Sequence, residues 1–162
     1  MKDLSSSQLN KLFNGVTQHF ADLESPAIAW GQQERTLTKS WVGPKLKQYV
    51  DTLLIPQMVL RYDGSTAVRP LLKHGMTFLP DAHLNLGHQR ICAIEVKFLR
   101  DSDPSGSLTK AIGQTLMYRT LGYEMSLGLI FDLRKSGNTD FQNDLDKISD
   151  ADNRISFNYY KC

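Results

Sequence analysis

Two carboxylates and one amine are spaced in a way that suits metal-assisted hydrolysis. Asp81 follows Pro80, thirteen residues separate it from Glu95, and Lys97 stands two positions after Glu95. Hard divalent ions such as Mg²⁺ or Mn²⁺ prefer carboxylate oxygens and complete their coordination with water and substrate phosphate. A lysine beside them can orient or deprotonate a water, or neutralise charge on a pentavalent phosphorus. The combination suits phosphodiester hydrolysis.

Two predicted strands determine whether these residues meet. Residues 91–98 alternate as in a strand, with Glu95 and Lys97 on one face. The opposite face is apolar and comprises Cys92, Ile94, Val96 and Phe98. A second strand is predicted over residues 79–86, with Asp81 on a polar face and alternate apolar residues on the other. The tripeptide Gly87-His88-Gln89 supplies a turn between the strands.

The turn sets the register of the predicted hairpin. If three residues close it, Leu86 pairs with Arg90, and counting back places Asp81 opposite Glu95. The other expected pairs are Asn85 with Ile91 and His83 with Ala93. Opposed side chains have Cβ atoms about 4.5–5.5 Å apart, and like charges at that distance destabilise a sheet. We therefore expect a cation between the carboxylates, with the backbone carbonyl of Val96 as a further metal ligand.

The motifs and their order resemble those of the PD-(D/E)xK nuclease superfamily. The resemblance rests on Pro80-Asp81, on Glu95-x-Lys97 and on a following Gln114-x3-Tyr118 that is similar to the Q-x3-Y element of one branch. It runs from residue 31 to residue 132. It implies an α/β fold with a restriction-endonuclease-like core, in which α-helices flank a mixed central β-sheet. It also implies a Mg²⁺-dependent deoxyribonuclease, with Mn²⁺ as a substitute ion.

The resemblance also implies roles for individual residues. Asp81 and Glu95 hold the metal, and Lys97 assists the attacking water. The superfamily often carries an acidic residue on a helix before the sheet. We assign Glu34 to that position, as a ligand of a second ion or of an ordered water, although Glu24 also lies upstream.

A helix is predicted from Leu108 to Leu121, with Gly122 as its terminating residue. Its i, i+4 spacing aligns a polar stripe of Lys110, Gln114 and Tyr118. An apolar stripe of Leu108, Ile112 and Leu116 is expected to pack on the sheet. The polar stripe is expected to support the site or contact a phosphate. The alternative is that Tyr118 is a core aromatic with its hydroxyl at the surface, and Gln114 a solvated helix residue.

The remaining segments complete a single α/β domain over residues 1–162. We divide it into an N-terminal helical part (1–56), a catalytic core (57–132) and a C-terminal extension (133–162). A helix after a capping box at Ser5 and Gln8 and a second helix from Pro44 are predicted first. Extended segments at 58–62 and 68–78, separated by a turn at 63–65, are expected to begin the sheet. A polar loop (100–107), a buried strand (125–132), a short helix (140–152) and a last strand (155–159) follow.

Composition agrees with one globular domain. The 162 residues are 41% hydrophobic and 22% charged, and no apolar run reaches the length of about 20 residues that spans a bilayer. No secretion signal is recognisable, and Cys92 and Cys162 suggest neither a disulfide nor a zinc site. We therefore expect a cytoplasmic protein without a membrane partner. We do not expect His83 or His88 to bind metal.

A nucleic acid, DNA rather than RNA, is the expected partner. The net charge of +2 is modest for a nucleic-acid binder, so a binding surface must be a local patch. Cutting within a strand is expected, in defence, recombination or repair, because a compact chain without an evident helicase or ring-forming extension suits it. A homodimer or a partner protein is also expected, since many relatives dimerise to cut both strands. The alternative is a non-cleaving nucleic-acid-binding or assembly module that keeps the nuclease fold.

Overall fold

A five-stranded mixed β-sheet forms the centre of the computed structural model. The structure describes residues 3–62, 71–73, 76–135 and 141–162. The strands in chain order are β1 (Met58–Tyr62), β2 (Leu71–Lys73), β3 (Met76–Phe78), β4 (Ala82–Leu86), β5 (Gln89–Leu99), β6 (Met125–Asp132) and β7 (Ile155–Lys161). The central sheet has the order β1-β4-β5-β6-β7, antiparallel from β1 to β5 and parallel from β5 to β7. The predicted α/β class with a mixed sheet between helices is confirmed.

Two amino-terminal helices cover one face of this sheet. Helix α1 (Ser6–Ala21) begins at the predicted capping box of Ser5 and Gln8. Helix α2 (Glu34–Leu37) continues through a π-helical turn (Thr38–Val42) into α3 (Gly43–Leu53), which carries Pro44 in its first turn. The buried side chains of α1 and α3 pack against the predicted apolar face of β5, formed by Cys92, Ile94, Val96 and Phe98. The other face of β5 is therefore left for α4.

Helix α4 (Pro104–Thr120) packs on that other face. It begins four residues before the predicted start, because Asp103 accepts a hydrogen bond from Gly106 N–H at 2.9 Å and Pro104 favours a first helical turn. The predicted loop at 100–107 is therefore confined to residues 100–103. Gly122, with φ at +91°, follows the helix as predicted.

The buried face of α4 differs from the predicted apolar stripe. Its buried residues are Leu108, Ala111, Thr115 and Tyr118. Leu116 is 41% exposed, so its predicted packing on the sheet was wrong. The reason is that β5 presents the polar side chain of Glu95 to this helix. The Tyr118 hydroxyl can donate a hydrogen bond to it, whereas an apolar side chain cannot.

The β4–β5 hairpin closes with a two-residue turn, Gly87-His88, rather than the three residues predicted. Leu86 consequently pairs with Gln89, one residue away from the expected Arg90. A β-bulge at Ile91 then shifts the register back, so that His83 lies opposite Ala93 as predicted. The last paired residues, Ala82 and Ile94, make Asp81 and Glu95 the next positions in line.

The predicted first part of the sheet is divided in two. Strand β1 joins the central sheet at its edge, whereas β2 and β3 pair only with each other among the described residues. The predicted turn at 63–65 lies outside the described residues. The predicted C-terminal extension supplies α5 (Gln142–Ala151) and the edge strand β7. Within the described part of the chain, no helix has the length and apolar character needed to cross a membrane.

Candidate active site

Four charged side chains from three parts of the chain meet at β5. Lys97 is at their centre: its Nζ lies 3.0 Å from Oε2 of Glu34 and 3.7 Å from Oε1 of Glu95. Asp81, just before β4, accepts a 2.8 Å hydrogen bond at Oδ2 from the backbone N–H of Val96. We call Glu34, Asp81, Glu95 and Lys97 the carboxylate–lysine cluster. Four predicted site side chains are thus brought together by the fold.

Glu34 reaches the cluster from the first residue of α2. Its Oε1 accepts a 2.9 Å hydrogen bond from the backbone N–H of Phe98, while Oε2 binds Lys97. Two strong contacts to β5 therefore hold this carboxylate in place. Glu24, the other upstream candidate, is exposed on the segment after α1. The geometry places Glu34, and not Glu24, at the cluster.

Tyr118 enters the site from α4. Its hydroxyl donates a 2.7 Å hydrogen bond to Oε2 of Glu95, and the tyrosine is fully buried. The alternative that Tyr118 is a core aromatic with a surface hydroxyl is therefore half right, since the ring is in the core but the hydroxyl is directed at the cluster. Because the donor is fixed by the helix, it sets the orientation of the Glu95 carboxyl group.

The two other residues of the predicted polar stripe lie apart from these contacts. Lys110 is exposed and Gln114 is half-buried one turn before Tyr118. Among the described residues, no hydrogen bond joins either side chain to the carboxylate–lysine cluster. Of the stripe, only Tyr118 makes a direct contact with it.

Burial and charge change the proton affinity of Glu95. Burial, with a further contribution from the Asp81 charge, raises the pKa of Glu95 from 4.5 to about 8. The Tyr118 hydrogen bond and the Lys97 charge act against this rise. Without a further cation, Glu95 therefore keeps its proton at neutral pH.

Lys97 is held in its charged form. Burial lowers the pKa of its ammonium group, but the charge and hydrogen bond of Glu34, with the charges of Glu95 and Asp81, outweigh that effect and raise it above its ordinary value. A charged lysine can orient a water or bind a phosphate oxygen, whereas it has no free electron pair to accept a proton. Of the roles predicted for Lys97, the electrostatic one fits this environment.

The donor set fits a hard divalent cation. Three carboxyl groups surround a single ammonium group, so the fully ionised cluster has two uncompensated negative charges. The described residues contain no group of three or more His, Cys, Asp or Glu side chains arranged to hold a metal ion. Mg²⁺, however, is commonly bound through one or two carboxylates and otherwise by water and phosphate. Asp81 and Glu95 are the predicted pair, and they stand next to the last paired residues of β4 and β5, whereas Glu34 binds Lys97 and the Phe98 N–H.

An open pocket of about 480 Å³ lies beside Glu34 and was not predicted from the sequence. Its lining consists of Gly31, Gln32, Gln33, Glu34, Phe98, Arg100 and Ser107. Arg100 donates a 2.6 Å hydrogen bond from Nη2 to the carbonyl of Gln32, which joins the end of β5 to the segment before α2. No periodic pattern marks these residues, since they come from loops and strand ends.

His83 and Cys92 are two further titratable side chains on the sheet. Burial, together with Arg61 and Arg90, lowers the pKa of His83 to about 4, and its Nδ1 lies 2.8 Å from the Tyr123 hydroxyl. Burial raises the pKa of the Cys92 thiol to about 12. A neutral histidine bonded to tyrosine and a protonated thiol do not form a nucleophilic pair.

The carboxylate–lysine cluster is thus the part of the described chain with the features of a reactive centre. It combines one buried and two half-buried carboxyl groups, a raised pKa at Glu95, an ammonium group held by Glu34 and an adjacent pocket. Comparison of the chain with protein-family models, curated proteins and solved structures finds no match.

Proposed function

We propose that this protein is a metal-dependent deoxyribonuclease with a restriction-endonuclease-like core. The observation that carries the proposal is the position of Lys97 between Glu34 and Glu95, at 3.0 Å and 3.7 Å, with Asp81 bonded to the adjacent Val96. Asp81, Glu95 and Lys97 are also the residues of the Pro-Asp and Glu-x-Lys motifs through which the chain resembles PD-(D/E)xK nucleases. The three carboxyl groups outnumber the one ammonium group, and a bound cation would favour the ionised form of the buried Glu95 carboxyl group.

Asp81 and Glu95 are the proposed ligands of Mg²⁺ or Mn²⁺, with the Val96 carbonyl as a further donor. A divalent cation bound there would neutralise the paired carboxylates, lower the pKa of an attacking water and stabilise charge on the phosphate. Val96 N–H holds the Asp81 carboxylate, and Tyr118 holds the Glu95 carboxyl group. The protein thereby orients its oxygen donors before a substrate arrives.

Lys97 is proposed to act as a cation throughout the reaction. Its ammonium group would bind a non-bridging phosphate oxygen or orient the attacking water, because the surrounding carboxylates keep it protonated. Glu34 positions Lys97 and accepts a hydrogen bond from the Phe98 N–H. Of the two roles predicted for Glu34, binding a second ion is therefore less favoured than binding an ordered water. Negative charge develops on the phosphate in the transition state. A fixed ammonium group interacts with it more strongly there than in the ground state and so lowers the barrier.

The proposal includes cutting within a DNA strand in defence, recombination or repair, in a cytoplasmic setting. The described cysteines, Cys92 and Cys162, are free thiols, as is usual in a reducing compartment. A homodimer or a partner protein would supply recognition that a net charge of +2 does not. Circular and linear forms of one plasmid distinguish internal cutting from cutting at ends.

A cleavage assay with matched variants tests the proposal. Purified protein is incubated with single-stranded, double-stranded and branched DNA, and with RNA of the same sequence, in Mg²⁺, Mn²⁺ or EDTA. Asp81→Asn and Lys97→Met remove one cluster charge each. Asp51→Asn and Lys47→Met are the controls, since they change the same residue types in an exposed pair on α3. Cutting of DNA in Mg²⁺ or Mn²⁺ that only the cluster variants abolish is the expected result.

Metal binding is measured separately by the melting temperature in increasing Mn²⁺. Binding to the folded state raises the melting temperature in proportion to RT ln(1 + [L]/Kd). We expect a rise for the wild type and both control variants, and none for Asp81→Asn. Equal rises in all four proteins would contradict the assignment of Asp81 as a ligand.

A second function is favoured by one observation. The described residues lack a three-ligand metal cluster, and Lys97 already neutralises Glu34. This arrangement would also suit a non-cleaving nucleic-acid-binding or assembly module. Retained DNA binding without cutting under any metal condition would favour this alternative. Cutting that appears only after addition of a partner protein would indicate a nuclease that is active only in an assembly.

A further inference from the structure

Trp30 is an exposed aromatic side chain with two cations near its ring. It is 71% exposed, although a large apolar ring normally lies in a core or an interface. The guanidinium carbon of Arg100 lies 5.9 Å from its ring centroid, and Nζ of Lys135 lies 4.7 Å from it. Trp30, Arg100 and Lys135 are here called the aromatic–cation platform. A flat ring flanked by positive charge matches the chemistry of a base and its phosphates.

Contacts to the rest of the fold hold the platform in position. Arg100 donates to the Gln32 carbonyl at 2.6 Å, and its guanidinium also lies 5.3 Å from the Phe98 ring. The backbone N–H of Lys135 donates to Asp101 at 3.3 Å. The Arg100 guanidinium is thus held by contacts separate from its approach to Trp30, and Lys135 is joined to the Asp101 side chain through its backbone. Arg100 is therefore the cation that the fold fixes beside Trp30.

The platform adjoins the carboxylate–lysine cluster. Arg100 and Glu34 line the same pocket, and Phe98 joins them, since its ring contacts Arg100 and its N–H binds Glu34. Only Gly31, Gln32 and Gln33 separate Trp30 from Glu34 along the chain, and these three residues line the pocket as well. Trp30 itself lines a separate pocket with Ala29 and Leu133, so Arg100 is the residue that connects the platform with the pocket beside Glu34.

We propose that the aromatic–cation platform binds an unpaired nucleotide of DNA. Trp30 stacks on the base, and Arg100 and Lys135 contact the flanking phosphates. A base in a duplex has both faces covered by its neighbours and is unavailable for such stacking, so the platform selects single-stranded segments, including those at branches. This inference deepens the proposed nuclease function. An effect of the platform on DNA cutting rests on that function, whereas binding of the nucleotide does not.

Binding of a 12-nucleotide oligothymidylate tests the proposal directly. Affinity is measured by fluorescence anisotropy and by quenching of tryptophan emission, in EDTA and in Mg²⁺, with the strand verified as intact on a gel. A self-complementary hairpin of equal length is the duplex probe. The variants are Trp30→Ala, Trp30→Tyr and Arg100→Gln. Leu54→Ala and Lys47→Gln are controls, since Leu54 is 85% exposed in a different groove and Lys47 is exposed on α3.

The expected results differ between the variants. Trp30→Ala weakens binding of the single strand by about 5- to 140-fold, which corresponds to about 1–3 kcal/mol of stacking, and leaves the hairpin unaffected. Trp30→Tyr retains most of the affinity, because a second aromatic ring can stack. Arg100→Gln lowers the magnitude of the slope of log affinity against log salt by about 0.7, the change expected when one phosphate contact to a single strand is lost. The control variants bind as the wild type does.

Several results would overturn the proposal. One is wild-type protein that binds the single strand in neither condition. Another is Trp30→Ala that binds it as tightly as the wild type, or that loses the hairpin and the single strand equally. Quenching that persists in Trp30→Tyr would assign the signal to Trp41, the other tryptophan, and would also count against it. Stacking at Trp30 without any cutting by the wild type would support this inference and refute the nuclease function. Cutting of single strands that is unchanged in Trp30→Ala would support the nuclease function and refute this inference.

Discussion

Tyr118 and Glu95 form a buried pair in which the phenol donates to the carboxyl group at 2.7 Å. Tyr118 has no exposed surface and Glu95 is 3% exposed. The bond joins α4 to β5 at the level of the carboxylate–lysine cluster. Burial, with the charge of Glu95, raises the pKa of the Tyr118 phenol well above its ordinary value, so Tyr118 keeps its proton at neutral pH. The position of Glu95 is therefore set by an uncharged hydroxyl group on α4.

Tyr118→Phe removes this donor while keeping the ring. We expect a loss of about 1–3 kcal/mol of unfolding free energy, because a buried carboxyl oxygen is left without a partner. If Glu95 binds metal, the affinity for Mn²⁺ or the rate of cleavage also falls by about 10- to 100-fold, as is usual when a group that orients a ligand is lost. Urea unfolding and Mn²⁺ titration measure the two effects.

Tyr123→Phe is the matched control for that variant. Its hydroxyl lies 2.8 Å from Nδ1 of His83, on the same side of the sheet, and makes no hydrogen bond to a carboxyl group of the cluster. It should lose stability to a similar extent with no change in Mn²⁺ affinity. Equal effects of the two variants on Mn²⁺ binding would show that packing, and not the bond to Glu95, is responsible.

Glu95 should make the stability of the metal-free protein depend on pH. Its pKa rises from 4.5 in the unfolded chain to about 8 in the folded protein, through burial and then the Asp81 charge. Between these values the folded state binds more protons, so this residue's contribution to stability falls as the pH rises, and the loss is complete above pH 8. Glu95→Gln removes that contribution. The variant should gain unfolding free energy relative to the wild type between pH 5 and pH 9, measured by urea unfolding in EDTA.

The comparison with wild type cancels the titration of groups that do not interact with Glu95. Glu24→Gln is the control for the loss of one carboxyl group, because Glu24 is exposed. Its unfolding free energy should follow that of the wild type across the same range. A constant difference between Glu95→Gln and wild type from pH 5 to pH 9 would mean that Glu95 ionises normally.

Lys97 and Glu34 should be coupled in a double-mutant cycle. The side chains are 15% and 32% exposed and lie 3.0 Å apart, so water screens the pair only in part. Lys97→Met leaves Glu34 and Glu95 without their ammonium group, and Glu34→Gln relieves part of that repulsion. We expect a coupling energy of about 0.5–3 kcal/mol from urea unfolding of the two single variants and the double variant.

An exposed pair provides the comparison for this cycle. Lys47 and Asp51 lie 2.6 Å apart on α3, with side chains that are 60% and 61% exposed. Their cycle, with Lys47→Met and Asp51→Asn, should give only about 0.3–0.5 kcal/mol. A coupling at Lys97 no larger than this would show that the contact with Glu34 contributes little to holding the cluster together.

The hairpin shows which part of the site could be predicted from the sequence. Alternation along β5 fixed its two faces, because the side-chain period of a strand is two regardless of its neighbours. The turn length was wrong by one residue, and the bulge at Ile91 was not foreseen. The two departures cancel, so that His83 still faces Ala93. Bulges depend on how a strand curves over its neighbours, and an isolated segment carries little sign of that.

The face of α4 and the position of Trp30 show what the sequence could not supply. Apolar spacing favoured Leu116 as a buried residue, but the helix instead turns Thr115 and Tyr118 toward the sheet. That choice depends on the polar side chains of β5, which lie far away in sequence. Trp30 is similar, since a tryptophan in sequence alone is expected to be buried. Only the folded chain places it beside Arg100 and Lys135 at the surface.

Gly128 offers a test of how closely α4, β6 and β7 pack beside Glu95, its partner in the β5–β6 register. A Cβ atom at Gly128 would lie 2.4 Å from Cδ1 of Phe157 and 3.3 Å from Oγ1 of Thr115. Neither neighbour can yield freely, because both are buried. Gly128→Ala should therefore lower the unfolding free energy by about 1–3 kcal/mol, as overpacking of a core does.

Gly113→Ala is the control for Gly128→Ala. It shows the effect of replacing a glycine by alanine where no neighbouring atom is crowded. Gly113 lies on the exposed side of α4, and a Cβ atom there would meet no other atom within 4 Å. Since alanine favours a helix over glycine by about 0.8–1.0 kcal/mol, Gly113→Ala should stabilise the protein by a similar amount. Urea unfolding of both variants then gives changes of opposite sign. A stabilising Gly128→Ala would mean that the strands beside Glu95 can separate to admit a methyl group, and a cluster built on them would be less rigid than its contacts imply.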